Sequence, residues 1–181
     1  ATGTAEPAVC AAGSAAAAGR AVCSRCTAGK YQGATGQRAC VDCPAGSACV
    51  QGAVAPAACS AGTMASSSQM SVCEACPGGR YQVAANATGC AECERGAHCK
   101  ARASAALLCD SGTYTGATNA SSAADCHQCP QGHACATGTA EPAVCAAGSA
   151  AAAGRAVCSR CTAGKYQGAT GQRACVDCPA G

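Results

Sequence analysis

Cysteine is the residue that most constrains what this chain can fold into. The 181 residues include 21 cysteines but no Trp or Phe, and the two leucines are Leu107 and Leu108. Burying a large apolar side chain stabilises a fold by about 1.5–3 kcal/mol, whereas ordering the backbone costs about 1–2 kcal/mol per residue. A chain rich in Ala and Gly therefore cannot fold by core burial alone. Such cysteine density is typical of disulfide scaffolds, which persist in oxidising compartments, so we expect an extracellular or cell-surface location.

The cysteines belong to an internal repeat. Residues 1–46 and 136–181 are identical, which sets a period of 135 residues. Within that period a six-cysteine set, beginning at Cys10, begins again at Cys59, and a shortened set begins at Cys109. The spacing predicts the tail of a preceding unit at 1–9, repeat units at 10–58 and 59–108, a shortened unit at 109–144, and the first unit again, truncated, at 145–181. The identity of the two copies indicates a chain that continues at both ends.

Thirteen of the cysteines begin a Cys-x-x-Gly motif, such as Cys26-Thr27-Ala28-Gly29. Gly reaches positive φ without steric cost, so the motif predicts a tight turn after each of these cysteines. Tyr follows several of the glycines, and we expect its ring to cover a neighbouring disulfide. Ala15–Ala18 is too short and too closely bracketed by Gly for a stable helix, so we expect a loop there. The pattern predicts a small disulfide-rich repeat: an elongated rod of stacked loops and short β-ribbons, with little helix and no large hydrophobic core.

The combination Cys-x-x-Gly-x-Tyr followed by Cys-x-x-Cys-Pro-x-Gly resembles the cysteine-rich repeat of ephrin-type receptors. It is also similar to the first modules of tumour-necrosis-factor-receptor ectodomains, and large protist and algal surface proteins carry such repeats in tandem. The matching stretches include 26–31, 40–46 and 73–79. One departure is 99–102, where Arg102 stands in place of Gly and a looser turn is expected. The resemblance implies a spacer and recognition module without catalytic residues.

The sequence predicts three local disulfides and leaves two pairing schemes open for the other cysteines. The Cys-x-x-Gly-x-Tyr segments are expected to close locally, as Cys26–Cys40, Cys76–Cys90 and Cys161–Cys175. The other cysteines allow two schemes. The sequential one, which follows the first-module pattern of the resembled family, pairs Cys10–Cys23, Cys43–Cys49, Cys59–Cys73, Cys93–Cys99, Cys109–Cys126, Cys129–Cys135 and Cys145–Cys158. The interleaved one pairs Cys43–Cys59 with Cys49–Cys73, Cys93–Cys109 with Cys99–Cys126, and Cys129–Cys145 with Cys135–Cys158, which would stiffen a rod.

Metal binding is the main alternative role for these thiols. The spacing Cys23-x2-Cys26-x13-Cys40-x2-Cys43 is similar to that of a zinc ribbon. The neighbouring Cys10, Cys49 and Cys59 would be left over, and the shortened unit breaks the quartet, so we expect disulfides and no metal. His98, His127 and His133 lie near cysteines, but we expect them to be solvated loop residues rather than metal ligands. Thioredoxin-like chemistry is not expected either, because no βαβ pattern surrounds any Cys-x-x-Cys.

Two N-glycosylation sequons, Asn86-Ala87-Thr88 and Asn119-Ala120-Ser121, precede a closing cysteine in their repeats. In a secreted chain such stretches are solvent-facing loops, so we expect covalent glycans on Asn86 and Asn119.

The remaining features favour a structural role and argue against catalysis. The net charge is +3 with 12% charged residues, too dilute for a nucleic-acid footprint. The longest apolar run is far too short to span a membrane. We expect no cofactor, no small-molecule substrate and no enzyme activity, but a rod or filament outside the cell whose partners are copies of itself along a fibre. The alternative is a receptor or adhesin ectodomain, which would need exposed aromatic or Arg anchors in one divergent module.

Overall fold

Ten short β-hairpins follow one another along the chain. The structure is a computed structural model that describes residues 9–18, 20 and 22–179. The strands, two residues each, are β1 Ser14–Ala15, β2 Ser24–Arg25, β3 Lys30–Tyr31, β4 Val41–Asp42, β5 Ser47–Ala48, β6 Ala57–Ala58, β7 Thr63–Met64, β8 Glu74–Ala75, β9 Arg80–Tyr81, β10 Ala91–Glu92, β11 Ala97–His98, β12 Leu107–Leu108, β13 Thr113–Tyr114, β14 His127–Gln128, β15 His133–Ala134, β16 Ala143–Val144, β17 Ser149–Ala150, β18 Ser159–Arg160, β19 Lys165–Tyr166 and β20 Val176–Asp177. Consecutive strands pair antiparallel, so that hairpin 1 is β1–β2 and hairpin 10 is β19–β20.

Every hairpin has the same plan, which hairpin 2 illustrates. It begins at Cys26, turns at Gly29, forms β3, crosses a loop, forms β4 and ends where Cys43 begins the next hairpin. Gly29 has φ of 86°, and the nine equivalent turn glycines also have positive φ. The amide of Cys43 donates to the carbonyl of Gly29 at 2.8 Å, closing the hairpin. Positive φ is the conformation that Gly adopts without steric cost, which accounts for the recurring Cys-x-x-Gly.

Backbone hydrogen bonds join each hairpin to the next. Between hairpins 2 and 3, Gly29 N–H donates to the carbonyl of Cys49 at 2.8 Å and Gln32 N–H donates to that of Ala53 at 3.0 Å. In the opposite direction, Gly52 N–H donates to the carbonyl of Cys26 at 2.8 Å. The same three bonds join other neighbouring hairpins, for example hairpins 4 and 5. Because these contacts use only main-chain atoms, they can satisfy the buried amides whatever the side chains are.

The chain divides into two compact units. One comprises the residues up to 76 together with 82–90, and holds hairpins 1 to 4 with the loop of hairpin 5. The other comprises 77–81 and the residues from 91 onward, and holds the strands of hairpin 5 with hairpins 6 to 10. Each unit, taken by itself, shows the same hairpin-to-hairpin bonds. The first cysteines of the expected repeat units, Cys10, Cys59, Cys109 and Cys145, each begin a hairpin.

Cysteine and alanine form the interior. The cysteine that begins each of the first nine hairpins is at most 1% exposed, and the other buried apolar residues are Cys49, Cys99, Cys135 and alanines such as Ala65. The larger apolar side chains lie outside: Leu107 and Leu108 are more than half exposed. This arrangement confirms the predicted disulfide-rich repeat of short two-stranded ribbons without a large hydrophobic core. The disulfides replace the apolar volume that the sequence lacks.

Helix is confined, among the described residues, to one 3₁₀ turn at Ala123–Asp125. It lies in the loop of hairpin 7, the longest of the loops that a disulfide closes. Asp125 accepts hydrogen bonds from the amides of Ser121 and Ser122 at 2.7 and 3.0 Å, and these bonds hold the pKa of its carboxyl below the usual value. The alanine run forms no helix, as expected, but its first residue, Ala15, belongs to β1 rather than to a loop.

Candidate functional site

The disulfide ladder is the chemical feature that dominates the molecule. Its ten bonds are Cys10–Cys23, Cys26–Cys40, Cys43–Cys49, Cys59–Cys73, Cys76–Cys90, Cys93–Cys99, Cys109–Cys126, Cys129–Cys135, Cys145–Cys158 and Cys161–Cys175. These are the bonds of the sequential scheme, and no bond of the interleaved scheme occurs among the described residues. Each bond starts at the first cysteine of a hairpin and closes within that hairpin. Every hairpin is therefore stapled separately.

The two cysteines of a Cys-x-x-Cys motif belong to different hairpins. Cys23 closes hairpin 1, whereas Cys26 opens hairpin 2 and bonds to Cys40. A redox Cys-x-x-Cys instead forms its disulfide between the two members of the motif, so this ladder does not have that arrangement. The described residues contain no group of three or more His, Cys, Asp or Glu side chains placed to hold a metal ion. Cys178 is exposed and has no disulfide partner within the described part of the chain.

Oxidation of the thiols gives the first testable expectation. Thiol titration of the denatured but unreduced protein should find only the thiol of Cys178, since the other cysteines are paired. Metal analysis of the same sample should find no stoichiometric zinc. A titration showing four or more free thiols together with bound zinc would contradict the ladder. Treatment with a reductant before denaturation serves as the control that exposes all of the thiols.

Because each hairpin is closed by its own disulfide, a repeat unit can be shortened by one hairpin. The units that begin at Cys10 and Cys59 each contain three hairpins, the last of which has a disulfide closing over six residues. The unit that begins at Cys109 contains two hairpins, and its second again closes over six residues. Losing one hairpin with its own disulfide leaves no orphan cysteine. The unit can therefore be shorter without disturbing the pairing on either side.

A second row of positive-φ residues lies in the hairpin loops, and sequence reasoning missed it. The row comprises Gly36, Gly52, Gln69, Asn86, Arg102, Asn119, Gly138, Gly154 and Gly171. Most of these residues donate a hydrogen bond from their backbone amide to the preceding hairpin. Asn86 N–H, for example, donates to the carbonyl of Cys59 at 2.7 Å. Arg102, with φ of 62°, adopts the backbone conformation of its Gly counterparts. The expectation of a looser turn at that position is therefore wrong.

The turn glycines pack against this loop row two hairpins further along. A Cβ atom on Gly29 would lie 2.2 Å from the carbonyl oxygen of Gln69, and one on Gly46 would lie 2.3 Å from that of Asn86. Real Cβ atoms do not approach backbone oxygens so closely, so no side chain fits there. The glycine is required both by its positive φ and by this close contact. The turns at Gly29 and Gly46 are thus each fixed by a residue distant in sequence.

Both sequon asparagines belong to the loop row. Asn86 and Asn119 have φ of 59° and 60°, a conformation in which Asn is several-fold enriched among non-Gly residues. Both residues are exposed to solvent. The Ser47 hydroxyl donates to Oδ1 of Asn86 at 2.9 Å, a contact that does not involve Nδ2, the atom that carries an N-linked glycan. Asn at these positions therefore serves the loop geometry whether or not it is modified.

The aromatic and imidazole side chains lie beside the strands. Tyr81 packs against the cluster of Cys93, Ala97, Cys99 and Ala103, which contains the Cys93–Cys99 disulfide. The three histidines fall in strands rather than in loops: His98 in β11, His127 in β14 and His133 in β15. Nδ1 of His98 is buried and has no hydrogen-bond partner among the described residues.

Within the described part of the chain, three hairpins carry an ion pair across their strands. The pairs are Lys30–Asp42, Arg80–Glu92 and Lys165–Asp177. The hydrogen bond from Lys30, together with a second from Gln69, holds the pKa of Asp42 below its usual value. A lowered carboxyl pKa means that the contribution is present at neutral pH and disappears as the pH falls through that pKa. Because Asp42 is exposed, we expect only a small effect on stability.

Two stretches of the chain are similar to a known protein family. The family described as tyrosine-protein kinase ephrin type A/B receptor-like matches residues 13–59 and 148–181. The first stretch spans hairpins 1 to 3, and the second contains the strands of hairpins 9 and 10. No curated protein matches the chain. None of the described residues forms a helix long and apolar enough to cross a membrane.

Proposed function

We propose that the chain is part of an extracellular structural protein, a rod or filament built from copies of the same hairpin, and its two ephrin-receptor-like stretches support an extracellular cysteine-rich role. The observation that carries the proposal is the contact between successive hairpins, which uses main-chain atoms and is repeated from one hairpin to the next. An interface of this kind adds length without requiring new side chains. Disulfides persist in oxidising compartments, so the ladder supports an extracellular location.

An adhesin or receptor ectodomain is the second candidate. Binding sites for proteins usually depend on Trp, Tyr or Arg anchors that are accessible on one face. The four tyrosines are the only aromatic residues of the chain apart from histidine, and Tyr31, Tyr81 and Tyr114 are half-buried beside their own hairpins. This arrangement leaves few aromatic anchors for a partner. We therefore favour the structural role, without catalytic activity.

Length scaling tests the proposal directly. Chains with one, two and three copies of the 135-residue period should be secreted and measured by small-angle X-ray scattering and electron microscopy. We expect the longest dimension to increase by a constant increment with each added period, and the particles to associate into fibres as concentration rises. A longest dimension that stays nearly constant, with added periods folding back on earlier ones, would refute the rod. Fibres that never form would restrict the role to a spacer within one chain.

Glycosylation gives a separate prediction for secreted material. We expect N-linked glycans on Asn86 and Asn119, detected as two mass decrements after enzymatic deglycosylation. Asn86→Gly should remove one glycan and keep the loop, because Gly suits the positive φ that nine loop residues share. Thr88→Ala is the matched control, since it destroys the sequon while leaving Asn86 in place. Unmodified asparagine at both sites, in protein secreted from a glycosylating cell, would contradict this prediction.

A further inference from the structure

The loop of hairpin 7 engages the hydroxyl of one predicted glycosylation sequon. Ser121 is the third residue of the sequon Asn119-Ala120-Ser121 and supplies the hydroxyl that the motif requires. Its amide donates to Oδ2 of Asp125 at 2.7 Å, and its hydroxyl donates to the same oxygen at 3.3 Å. A Cβ placed on Gly78 would lie only 3.1 Å from the Cβ of Ser121, so this side chain also lies against the turn of hairpin 5.

The other two residues of this sequon are held through their backbone. The amide of Asn119 donates to the carbonyl of Cys93 at 2.8 Å, and the carbonyl of Ala120 accepts from the amide of Cys99 at 2.9 Å. Ala120 is 6% exposed, and a Cβ on Gly79 would lie 2.3 Å from the carbonyl oxygen of Asn119. All of these residues belong to one compact unit. An enzyme that binds the sequon as an extended peptide must first break these contacts.

The sequon in the loop of hairpin 5, Asn86-Ala87-Thr88, differs in its third residue. The amide of Asn86 donates to the carbonyl of Cys59 at 2.7 Å, and the carbonyl of Ala87 accepts from the amide of Ala65 at 3.0 Å. Thr88 is exposed, and its hydroxyl makes no hydrogen bond within the described part of the chain. The backbone bonds are therefore common to both loops, whereas the carboxylate that binds the sequon hydroxyl belongs to hairpin 7.

We propose that Asn119 accepts a glycan only while hairpin 7 is open, and that Asp125 closes the site by binding the sequon residue Ser121. This inference rests on the glycosylation predicted above for secreted material. The transfer joins Nδ2 of Asn119 to the anomeric carbon of a sugar. It breaks the bond from that carbon to the pyrophosphate of a lipid-linked donor, which leaves with the bonding electrons, and one amide proton passes to a base of the transferase.

Asp125 suits this role because one carboxylate oxygen accepts several hydrogen bonds. The amide of Ser122 donates to the same Oδ2 at 3.0 Å as does that of Ser121 at 2.7 Å. These bonds hold the pKa of the Asp125 carboxyl below its usual value. Hydrogen bonds to an ionised acceptor are stronger than those between neutral groups. The next residue, Cys126, bonds to Cys109, so oxidation of this pair fixes where the carboxylate lies.

Two carboxylate variants within the same disulfide ring test the proposal. Asp125→Ala removes the acceptor, whereas Asp110→Ala removes an equal charge from the turn of the hairpin and is the matched control. Ala11 occupies the position of Asp110 in hairpin 1, which shows that this turn accepts Ala. Asp125→Asn keeps an uncharged acceptor and replaces the Ala variant if that protein fails to fold. Each protein would be produced in the periplasm of a bacterium that lacks N-glycosylation, and thiol titration would check its disulfides.

The folded proteins would be incubated with a purified oligosaccharyltransferase and its lipid-linked donor, and the occupancy of each sequon would be followed by mass spectrometry. We expect Asp125→Ala to raise the rate of transfer to Asn119 about tenfold, because a loop that loses bonds to a charged acceptor opens more often. We expect Asp110→Ala to change this rate by less than about twofold. The rate at Asn86 should be the same in all proteins, as should the rate at Asn119 once the chains are reduced and unfolded.

Several results would overturn the proposal. Transfer to Asn119 that is as fast in the folded wild-type protein as in the reduced chain would show that hairpin 7 does not protect it. An equal rate in folded wild type and Asp125→Ala, or an equal gain in Asp110→Ala, would remove the role of Asp125. The same gain in the reduced Asp125→Ala chain would assign the effect to the sequence preference of the enzyme. No transfer to Asn119 even in the reduced chain would refute the predicted glycan itself.

Discussion

Replacing Gly29 with Ala should destabilise its region of the chain by several kcal/mol, whereas the same change at Gly164 should cost only about 1–2 kcal/mol. The two turns have nearly the same backbone, with φ of 86° and 81°. A Cβ on Gly29 would lie 2.2 Å from the carbonyl oxygen of Gln69 and 2.9 Å from its carbonyl carbon, while one on Gly164 meets nothing within 4 Å. The pair therefore separates the cost of positive φ from the cost of pushing hairpins 2 and 4 apart.

Hydrogen exchange is the suitable measurement, because a stack of repeats can open locally without global unfolding. The amide of Gln69, which donates to the carbonyl of Cys43 at 2.8 Å, reports on the contact with hairpin 3. We expect Gly29→Ala to speed exchange at this amide by at least a hundredfold, and Gly164→Ala to leave it unchanged. Equal and small effects of the two substitutions would show that the close approach of Gly29 to Gln69 does not support the stack.

Deletion of one whole hairpin should leave a folded protein with nine disulfides. Removing residues 26–42 takes out hairpin 2 together with the Cys26–Cys40 bond, and it restores a Cys-x-x-Cys spacing between Cys23 and Cys43. The unit that begins at Cys109 already has this shorter arrangement. The hydrogen bond from Gln69 to Asp42, at 2.9 Å, is lost, which should cost little because it is exposed.

The matched control removes the same number of residues out of register. Deletion of 33–49 removes Cys40, Cys43 and Cys49 and leaves Cys26 without its partner. We expect this protein to expose the thiol of Cys26, to scramble its disulfides and to be retained by the secreting cell. Mass spectrometry of the secreted fraction before and after alkylation distinguishes the two deletions. Comparable secretion and oxidation of both would show that the hairpin is not the unit of folding.

Spacing of cysteine and glycine predicts the turns and the local bonds because both depend on residues close in sequence. The Cys26–Cys40 bond, for example, spans only 14 residues. The loop row could not be predicted in the same way. Its positive φ at Gln69 and Asn119 brings an amide and a carbonyl to other hairpins, so the requirement comes from contacts distant in sequence, and no single residue type marks it.

Asn86 and Asn119 also have a structural role that the sequence did not predict. As sequons they point to modification, and Asn86 and Asn119 remain predicted glycan sites. The structure adds a second reason for Asn, which tolerates the left-handed conformation better than most residues. The Cys-x-x-Gly motif at Cys49 and Gly52 has the same spacing as the hairpin turns, yet Gly52 belongs to the loop row. One motif thus serves two positions, which spacing alone does not separate.

Because each hairpin has its own disulfide, the disulfides also determine how far a hairpin extends under a pulling force. In hairpin 2 the force passes from Cys26 to Cys40 through the disulfide, whose Cα atoms are 5.7 Å apart, and then along the three residues to Cys43. Fully stretched, such a hairpin reaches only about 16 Å, whereas its 17 residues without the disulfide could reach about 58 Å. A hairpin of this type therefore extends little while its disulfide is intact, and reduction of the bond would release about 40 Å of slack.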